Sequence, residues 1–508
     1  MRERLALRVI QVGVILAVLA VSPRHVFDLD RFLVPKELVL HGTALLAALF
    51  AWPAIRRVGV SRSDKLLAIY LGLGLISTLF ATNRWLGWRA FAVSVSSVLL
   101  LLVSRGLRES GLGRAVLKAV AIGVVLAAVT SLLQAYGMQT DFFALNRAPG
   151  GTLGNRNFVA HVAAFGMPIV IFISLSARRF ALASTGVLLV SAVLVLTRSR
   201  AAWLAAAFML VVYFFAILVS PMLRKDSRVW RRAVAIALFA VVGGGLALLL
   251  PNALHWRSDN PYLESVKGVA NYEKGSGHGR LIQYRNSLMM ALRHPLFGVG
   301  PGNWPVEYPR HVRAGDRSLD PSDPGMTFNP WPSSDWFAFV SERGIAATIV
   351  LALFFLRVAL AAFGKLRSER DAAEGAALLA LLAAALVAGA FDAVLLLALP
   401  SIFVWLAVGA LWPEFRTGES SAIVALIIVV AAIGVVRSGS QLAAMEIFAT
   451  HEDRASLTSA AHLDPGNYMV QMRLARRGKR QERCEHALAA RKLFPLAEAA
   501  REVSRGCK

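Results

Sequence analysis

About thirteen apolar runs of near-spanning length recur along this chain, and no other feature limits its possible folds as strongly. Hydrophobic residues make up 56% of the 508 residues, and charged residues only 17%. Apolar runs of this length are typical of helices that cross a membrane. The sequence therefore predicts an all-α polytopic membrane protein with about 12–13 transmembrane helices. The runs lie near residues 7–22, 37–52, 66–82, 89–104, 115–136, 157–176, 180–196, 201–221, 232–251, 336–362, 375–397, 399–412 and 421–437.

The net charge of +24 is distributed unevenly among the loops. Lys and Arg clusters follow alternate runs, so they share one side of the membrane if the helices alternate in direction. The positive-inside rule assigns that side, and the N-terminus, to the cytoplasm. The excess of basic residues therefore reflects membrane topology, and we predict no nucleic-acid partner. The clusters lie within residues 2–8, 56–65, 105–118, 178–179, 224–232 and 365–370.

This topology predicts four parts. An N-terminal transmembrane bundle (1–251) precedes a large outside loop (252–335), C-terminal transmembrane helices (336–437) and an outside tail (438–508). The tail has the composition of amphipathic helices, and its His462–Tyr468 and Phe494–Pro495 segments resemble one or two tetratricopeptide repeats. An ordinary small helical cap is the alternative.

Both cysteines, Cys484 and Cys507, lie in this tail. They could pair if the tail is extracytoplasmic, and two unpaired thiols are the alternative. Their spacing does not suggest a metal site.

Several unusual polar motifs fall in loops that the topology places on the outer side. The large loop contains Gly279-Arg280-Leu-Ile-Gln-Tyr284 and the Gly/Pro-rich segment His294–Trp304. Two arginines bracket a serine in Thr197-Arg198-Ser199-Arg200, although outside loops are otherwise poor in basic residues. The segment Gly150–Phe158 precedes one apolar run, and Asp392 interrupts another. Because these motifs share one face, they are candidates for a single active site.

The motifs resemble, in the same order, those of the O-antigen ligase and Wzy-type O-antigen polymerase superfamily. The resemblance implies a GT-C-like membrane enzyme, an inverting glycosyltransferase that uses no cofactor and no metal. It implies the bacterial inner membrane, with the large loop and the tail periplasmic. The donor would be a glycan on undecaprenyl diphosphate, embedded in membrane lipid. The acceptor would be another glycan, the lipid A core or a protein.

The resemblance assigns the diphosphate to Arg200, with Arg198 as an accessory residue, and to Arg280. A guanidinium suits this task because its planar donors grip two phosphate oxygens and keep their charge. Other residues of the motifs are expected to shape the cavity, and Asp392 is also a functional candidate because an acidic residue within an apolar run is costly. These cavity-shaping residues are Asn155, Asn157, Gly298, Gly300, Asn303 and Asp392.

One position departs from the family pattern. Relatives carry a histidine, the proposed general base, where this chain has Ser333. A serine hydroxyl does not accept a proton at neutral pH as imidazole does. Three explanations stay open: Asp335 is the base, His311 reaches in from the loop, or the protein lacks this activity. A non-catalytic component of polysaccharide export and a multispan transporter or flippase are therefore kept as alternative functions.

Overall fold

The computed structural model describes residues 1–256, 258–268, 275–312, 316–412, 422–478 and 480–507. Helices account for 77% of the chain. The described residues form no β-strand, only an isolated bridge between Leu319 and Thr327. The prediction of an all-α protein is therefore confirmed.

Twenty-one α-helices follow one another in the described part of the chain. The first ten are α1 Arg2–Leu19, α2 Asp30–Val58, α3 Arg62–Phe80, α4 Arg84–Glu109, α5 Gly113–Ala135, α6 Arg156–Leu175, α7 Phe180–Leu196, α8 Arg200–Val219, α9 Pro221–Lys225 and α10 Ser227–Leu249. The large loop contains α11 Pro261–Lys267, α12 Gly275–Arg293 and α13 Trp304–Glu307. The bundle resumes with α14 Asp335–Lys365, α15 Ala372–Phe391, α16 Ala398–Ala410 and α17 Ala422–Thr450, and the tail forms α18 Arg454–Leu463, α19 Tyr468–Arg477, α20 Arg480–Leu493 and α21 Glu498–Val503.

Ten of the described helices are long and apolar enough to cross a membrane. They are α2–α6, α8, α10, α14, α15 and α17. The apolar helices α7 and α16 are shorter, and α1 carries four charged residues in its first two turns. Each predicted apolar run corresponds to one of these thirteen helices. Helix α17 continues without a break to Thr450, so the predicted start of the tail at residue 438 falls inside it.

The shortest of these helices lies at the centre of the bundle. Every residue of α16 is buried, and most of α4 and α6 is buried as well. By contrast, α10 buries only 17% of its apolar window, so most of its surface is available to lipid. Small residues permit the close packing around α16. At Gly409, the Cβ of any other residue would clash with the carbonyl oxygen of Leu101, only 2.5 Å away.

Contacts sort the helix termini into two ends of the bundle. At one end, Arg108 and Lys365 both pair with Glu374, at 2.6 and 3.6 Å. At the other end, which we call the loop end, Asn303 of the large loop binds Asn83 from the start of α4. The turns after α5 and α15 also contact loop-end residues. The polar motifs therefore gather at one end of the bundle.

The tail packs on the loop end. The indole N–H of Trp85 donates to Asp464 at 2.6 Å, and the backbone N–H of Glu498 donates to the carbonyl of Pro324 at 2.8 Å. Cys484 and Cys507 form a disulfide, which confirms the paired alternative. The likeness of the tail to tetratricopeptide repeats stays a prediction.

Candidate active site

A cavity of about 940 Å³ opens at the loop end. Three arginines line it, Arg156, Arg198 and Arg200, together with Trp256. Glu264 is the one carboxylate among the described lining residues. The excess of positive charge makes this cavity suitable for a multiply charged anion.

Two of these arginines are the first residues of their helices, Arg156 of α6 and Arg200 of α8. Helix N-termini present unpaired N–H groups and a partial positive charge, so both helix ends add to the anion-binding character of the cavity. Helix α6 begins here because the side chain of Asn155 accepts a hydrogen bond from the N–H of Asn157 at 2.9 Å. The helix cap is therefore Asn155, and Asn157 is the second residue of the helix.

Arg198 is held in an uncommon backbone conformation, with φ at +54°. Its Nε donates to the Ser265 hydroxyl at 3.0 Å, and its guanidinium lies 4.6 Å from the centre of the Trp256 ring. The guanidinium of Arg156 lies 5.0 Å from the same ring. Burial lowers the pKa of Arg198, against the opposing effects of Glu264 and Tyr262. The indole thus holds two cations beside one cavity.

Arg200 reaches toward the large loop. Its guanidinium donates to the carbonyl oxygen of Gly268, at the end of α11. The loop is thereby attached to the N-terminus of α8, beside the cavity.

Arg280 lies in α12, which is fixed to the bundle by Tyr284. The Tyr284 hydroxyl lies 2.9 Å from the carbonyl oxygen of Ser333 and 2.8 Å from that of Ala390, and its ring stacks on Phe337 at 4.5 Å. Arg280 precedes Tyr284 by one helical turn and is close enough for its charge to act on His161 of α6. Arg280 therefore lies one helical turn from the residue that contacts the outer ends of α14 and α15.

His161 is a candidate that the sequence analysis missed. Its side chain is 1% exposed, and its Nδ1 lies 3.9 Å from Oδ2 of Asp392. Neither ring nitrogen forms a hydrogen bond with any residue that the structure describes. The sequence did offer one signal, because His161 is an ionisable residue within a predicted membrane span, four residues after Asn157.

Asp335 uses its carboxylate to hold a turn. The side chain is fully buried, and its oxygens accept hydrogen bonds from the backbone N–H groups of Val394, at 2.9 and 3.1 Å, and Leu395, at 2.9 Å. These contacts tie the start of α14 to the segment between α15 and α16. The geometry gives Asp335 a structural task, and its predicted role as general base stays a prediction.

His311 ends the 3-10 turn Tyr308–His311 in another part of the large loop. Its charged neighbours are Arg293, His294, Glu307 and Arg310. Burial, followed by the charges of Arg293 and His294, lowers the pKa of His311. The imidazole is therefore held neutral at pH 7, the form that accepts a proton. These neighbours do not include Arg280, Asp392 or the arginines of the cavity.

The Gly/Pro-rich segment wraps around Glu342 of α14. The Glu342 carboxylate accepts from the N–H groups of Gly302 and Trp304 at 2.9 and 3.2 Å. Gly298 and Gly300 have φ of +63° and +101°, and a Cβ at Gly298 would lie 2.3 Å from the Glu342 backbone.

Asn303 lies in the same segment and is fully buried against Asn83. Gly298, Gly300 and Asn303 are not among the described residues that line the arginine cavity. Their contacts fix the junction between α14 and the turn that joins α3 to α4.

Two clusters result, and α6 connects them. Arg198 and Arg200 share the arginine cavity with Arg156, which the sequence analysis did not select as a site residue. His161 and Asp392 form the second cluster, beside Arg280. His161 follows Arg156 by five positions, about 7.5 Å along the helix axis. Among the described residues, no group of three or more His, Cys, Asp or Glu side chains could hold a metal ion.

These features define a multi-pass, all-helical membrane protein with an arginine-lined anion cavity at one end of its bundle. Residues 185–352, about a third of the chain, match the model of the family described as O-Antigen ligase. No curated protein matches the chain. The family match confirms the resemblance found in the motifs and supports a glycosyl-transferring function of the ligase or polymerase type.

Proposed function

We propose that this protein transfers or polymerises a glycan carried on undecaprenyl diphosphate, at the periplasmic face of the inner membrane. The observation that carries the proposal is the cavity lined by Arg156, Arg198 and Arg200 at the N-termini of two helices. Two of these arginines lie inside the segment that matches the O-antigen ligase family. A lipid-linked diphosphate is the anion that links these two facts.

The proposed chemistry is an in-line displacement at the anomeric carbon. The acceptor hydroxyl oxygen forms the new bond to this carbon, and the bond to the diphosphate oxygen breaks with its electron pair leaving on the phosphate. The configuration of the sugar is thereby inverted. Arg200 and Arg280 stabilise the charge that grows on the diphosphate, and Arg198 assists in binding it. Cationic side chains inside a protein cavity act more strongly on such a charge than they would in bulk solvent.

Two observations support a periplasmic location of the loop end. The tail that packs there contains a disulfide, which is typical of oxidising compartments. The basic clusters predicted to be cytoplasmic include Arg108 and Lys365, which lie at the opposite end of the bundle. The acceptor, whether glycan, lipid A core or protein, would then enter from the periplasm.

A transfer assay tests the proposal. The purified protein in nanodiscs would receive an undecaprenyl diphosphate-linked glycan and each acceptor class in turn. We expect Arg200→Ala and Arg280→Ala each to abolish transfer. Arg370→Ala, an exposed arginine between α14 and α15, is the matched control and should retain wild-type activity.

Two results would contradict the proposal. If both Arg200→Ala and Arg280→Ala keep wild-type activity, the two residues do not bind the diphosphate. If the wild-type protein transfers none of the donors, a non-catalytic export component or a transporter becomes the better description. Asp335 and His311 stay the sequence-based candidates for the general base, and separate substitutions test each of them.

A further inference from the structure

His161 and Asp392 form a buried pair that no sequence motif joins. His161 lies on α6 and Asp392 directly follows α15, and their side chains approach to 3.9 Å. Buried polar atoms are nearly always hydrogen-bonded, yet both nitrogens of His161 are without a hydrogen-bond partner among the described residues. An ionisable side chain inside a membrane bundle is usually functional. The pair therefore calls for a chemical explanation.

The Asp392 carboxylate retains an oxygen for chemistry. Oδ1 accepts a hydrogen bond from the N–H of the next residue, Ala393, at 2.9 Å, whereas Oδ2 faces His161. The side chain of Asp392 is 13% exposed. Asp335, by comparison, is fully buried and uses both oxygens to hold the turn after α15. Asp392 is therefore the better placed of the two carboxylates to contact a substrate.

Contacts of Tyr284 connect the segment that carries Asp392 with the position where relatives carry their histidine. Ser333 occupies that position, and its carbonyl contacts the Tyr284 hydroxyl. The same hydroxyl contacts the carbonyl of Ala390, two residues before Asp392. The Tyr284 hydroxyl thus connects the position of the missing histidine with the segment that carries Asp392. The imidazole next to Asp392 belongs to α6 and not to the large loop.

His161 and Asp392 both lie outside residues 185–352, so the family match assigns them no role. The described groups whose charges act on His161 are Asp392, from the end of α15, and Arg280, from α12.

We propose that Asp392 and His161 act together as the proton acceptor of the glycosyl transfer. This inference rests on the proposed function. Asp392 contacts the acceptor hydroxyl and takes its proton as the hydroxyl oxygen bonds to the anomeric carbon, while the diphosphate leaves with the electron pair of the broken bond. His161 is a positioning residue that orients the Asp392 carboxylate and shares the proton once it has been transferred. Asp392 is thus the catalytic residue of the pair.

The test measures kcat, the KM for the lipid-linked donor and the pH profile in nanodiscs. General-base catalysis contributes about 10²- to 10⁴-fold, so we expect Asp392→Asn to lower kcat by that range with little change in the donor KM. Asp392→Glu should recover part of the rate, because it restores a carboxylate. His161→Gln should lower kcat less and move the acidic limb of the kcat profile. The double variant should be no slower than Asp392→Asn, because both residues serve one proton transfer.

His41→Gln is the matched control. His41 is also a buried histidine of the bundle, but it is hydrogen-bonded to Ser96 at 2.8 Å. We expect this variant to lower the melting temperature while leaving the pH profile unchanged. A melting curve for every variant separates loss of folding from loss of chemistry.

The outcomes separate this inference from the proposed function. If Arg200→Ala is inactive while His161→Gln and Asp392→Asn are folded and keep the wild-type kcat and pH profile, the pair is not the proton acceptor, although the transfer function stands. If His161→Gln changes only the melting temperature, this histidine serves packing, and its proposed role in proton transfer is wrong. If the wild-type protein transfers no lipid-linked glycan, the proposed function fails and the inference fails with it.

Discussion

The guanidinium of Arg198 lies 4.6 Å from the centre of the Trp256 ring, and the ring also attracts Arg156. Two like charges beside one cavity repel each other, so an attractive contact is needed to hold them there. The negative face of the indole attracts both guanidinium groups and keeps them next to the cavity that we assign to the donor.

Removal of this ring should weaken binding of the donor. Each cation–π contact is worth about 0.5–2 kcal/mol, so we expect Trp256→Ala to raise the donor KM by roughly three-fold or more, with a smaller effect on kcat. Trp256→Phe should show an intermediate KM, because phenylalanine retains a weaker ring. Steady-state kinetics over a range of donor concentrations measure both. Equal donor KM values for the two variants and the wild-type protein would contradict the assignment.

Asp335→Asn should destabilise the bundle. The carboxylate accepts three contacts from Val394 and Leu395, and an amide offers a single acceptor oxygen. Loss of a partner for a buried donor costs about 1–3 kcal/mol, which should appear as a lower melting temperature. Asp371→Asn, between α14 and α15 at the opposite end of the bundle, is the control. The same variant tests Asp335 as general base, since a large loss of kcat with an unchanged melting temperature would favour catalysis over structure.

The loop around His311 should be less stable in acid. Because the folded state lowers the pKa of His311, its contribution to stability is present above the ordinary value of about 6.5 and is lost as the pH falls through the lowered value. The protection factors of residues 304–312, which correct hydrogen exchange for its intrinsic pH dependence, should therefore be lower at pH 5 than at pH 7.5. In His311→Gln this difference should shrink. An unchanged difference in that variant would show that another group is responsible.

Reduction should loosen the tail selectively. Cys484 and Cys507 are the only cysteines of the sequence, so a reductant acts on one bond. The bond closes a loop of 23 residues, and its loss should cost the tail about 2–4 kcal/mol. Limited proteolysis should then cleave α20 and α21 faster, while the membrane helices stay protected. Cys484→Ser should behave like the reduced wild-type protein, and equal protection of the oxidised and reduced forms would refute this view.

The helical framework could be predicted from the sequence because its signal is local. An apolar run long enough to cross a membrane forms a helix wherever it lies, so each predicted run corresponds to a helix. The motif arginines Arg198 and Arg200 were also selected from the sequence, since two charges in a predicted outside loop conflict with the topology rule. Whether each helix spans the membrane was harder to predict. Helix α16 is enclosed by other helices, and a buried helix resembles a spanning one in composition.

The long-range parts of the site could not be predicted in this way. His161 and Asp392 are separated by 231 positions, and each taken alone is compatible with a helix that packs in a bundle. The task of Asp335 depends on the backbone N–H groups of Val394 and Leu395, which no sequence pattern displays. Arg156 occupies an ordinary helix start and lines the arginine cavity only because the start of α8 and Trp256 lie beside it.

The attachment of the tail has a consequence for biosynthesis. The segment 320–326 is held by residues near the end of the chain, through Pro324 with Glu498 and through a close approach of Gly325 to Leu496. The ribosome makes these residues after every helix of the bundle. The final arrangement of residues 320–326 must therefore await synthesis of the tail helices, so each newly made copy passes through a stage in which its bundle has formed and this segment still lacks its contacts with the tail.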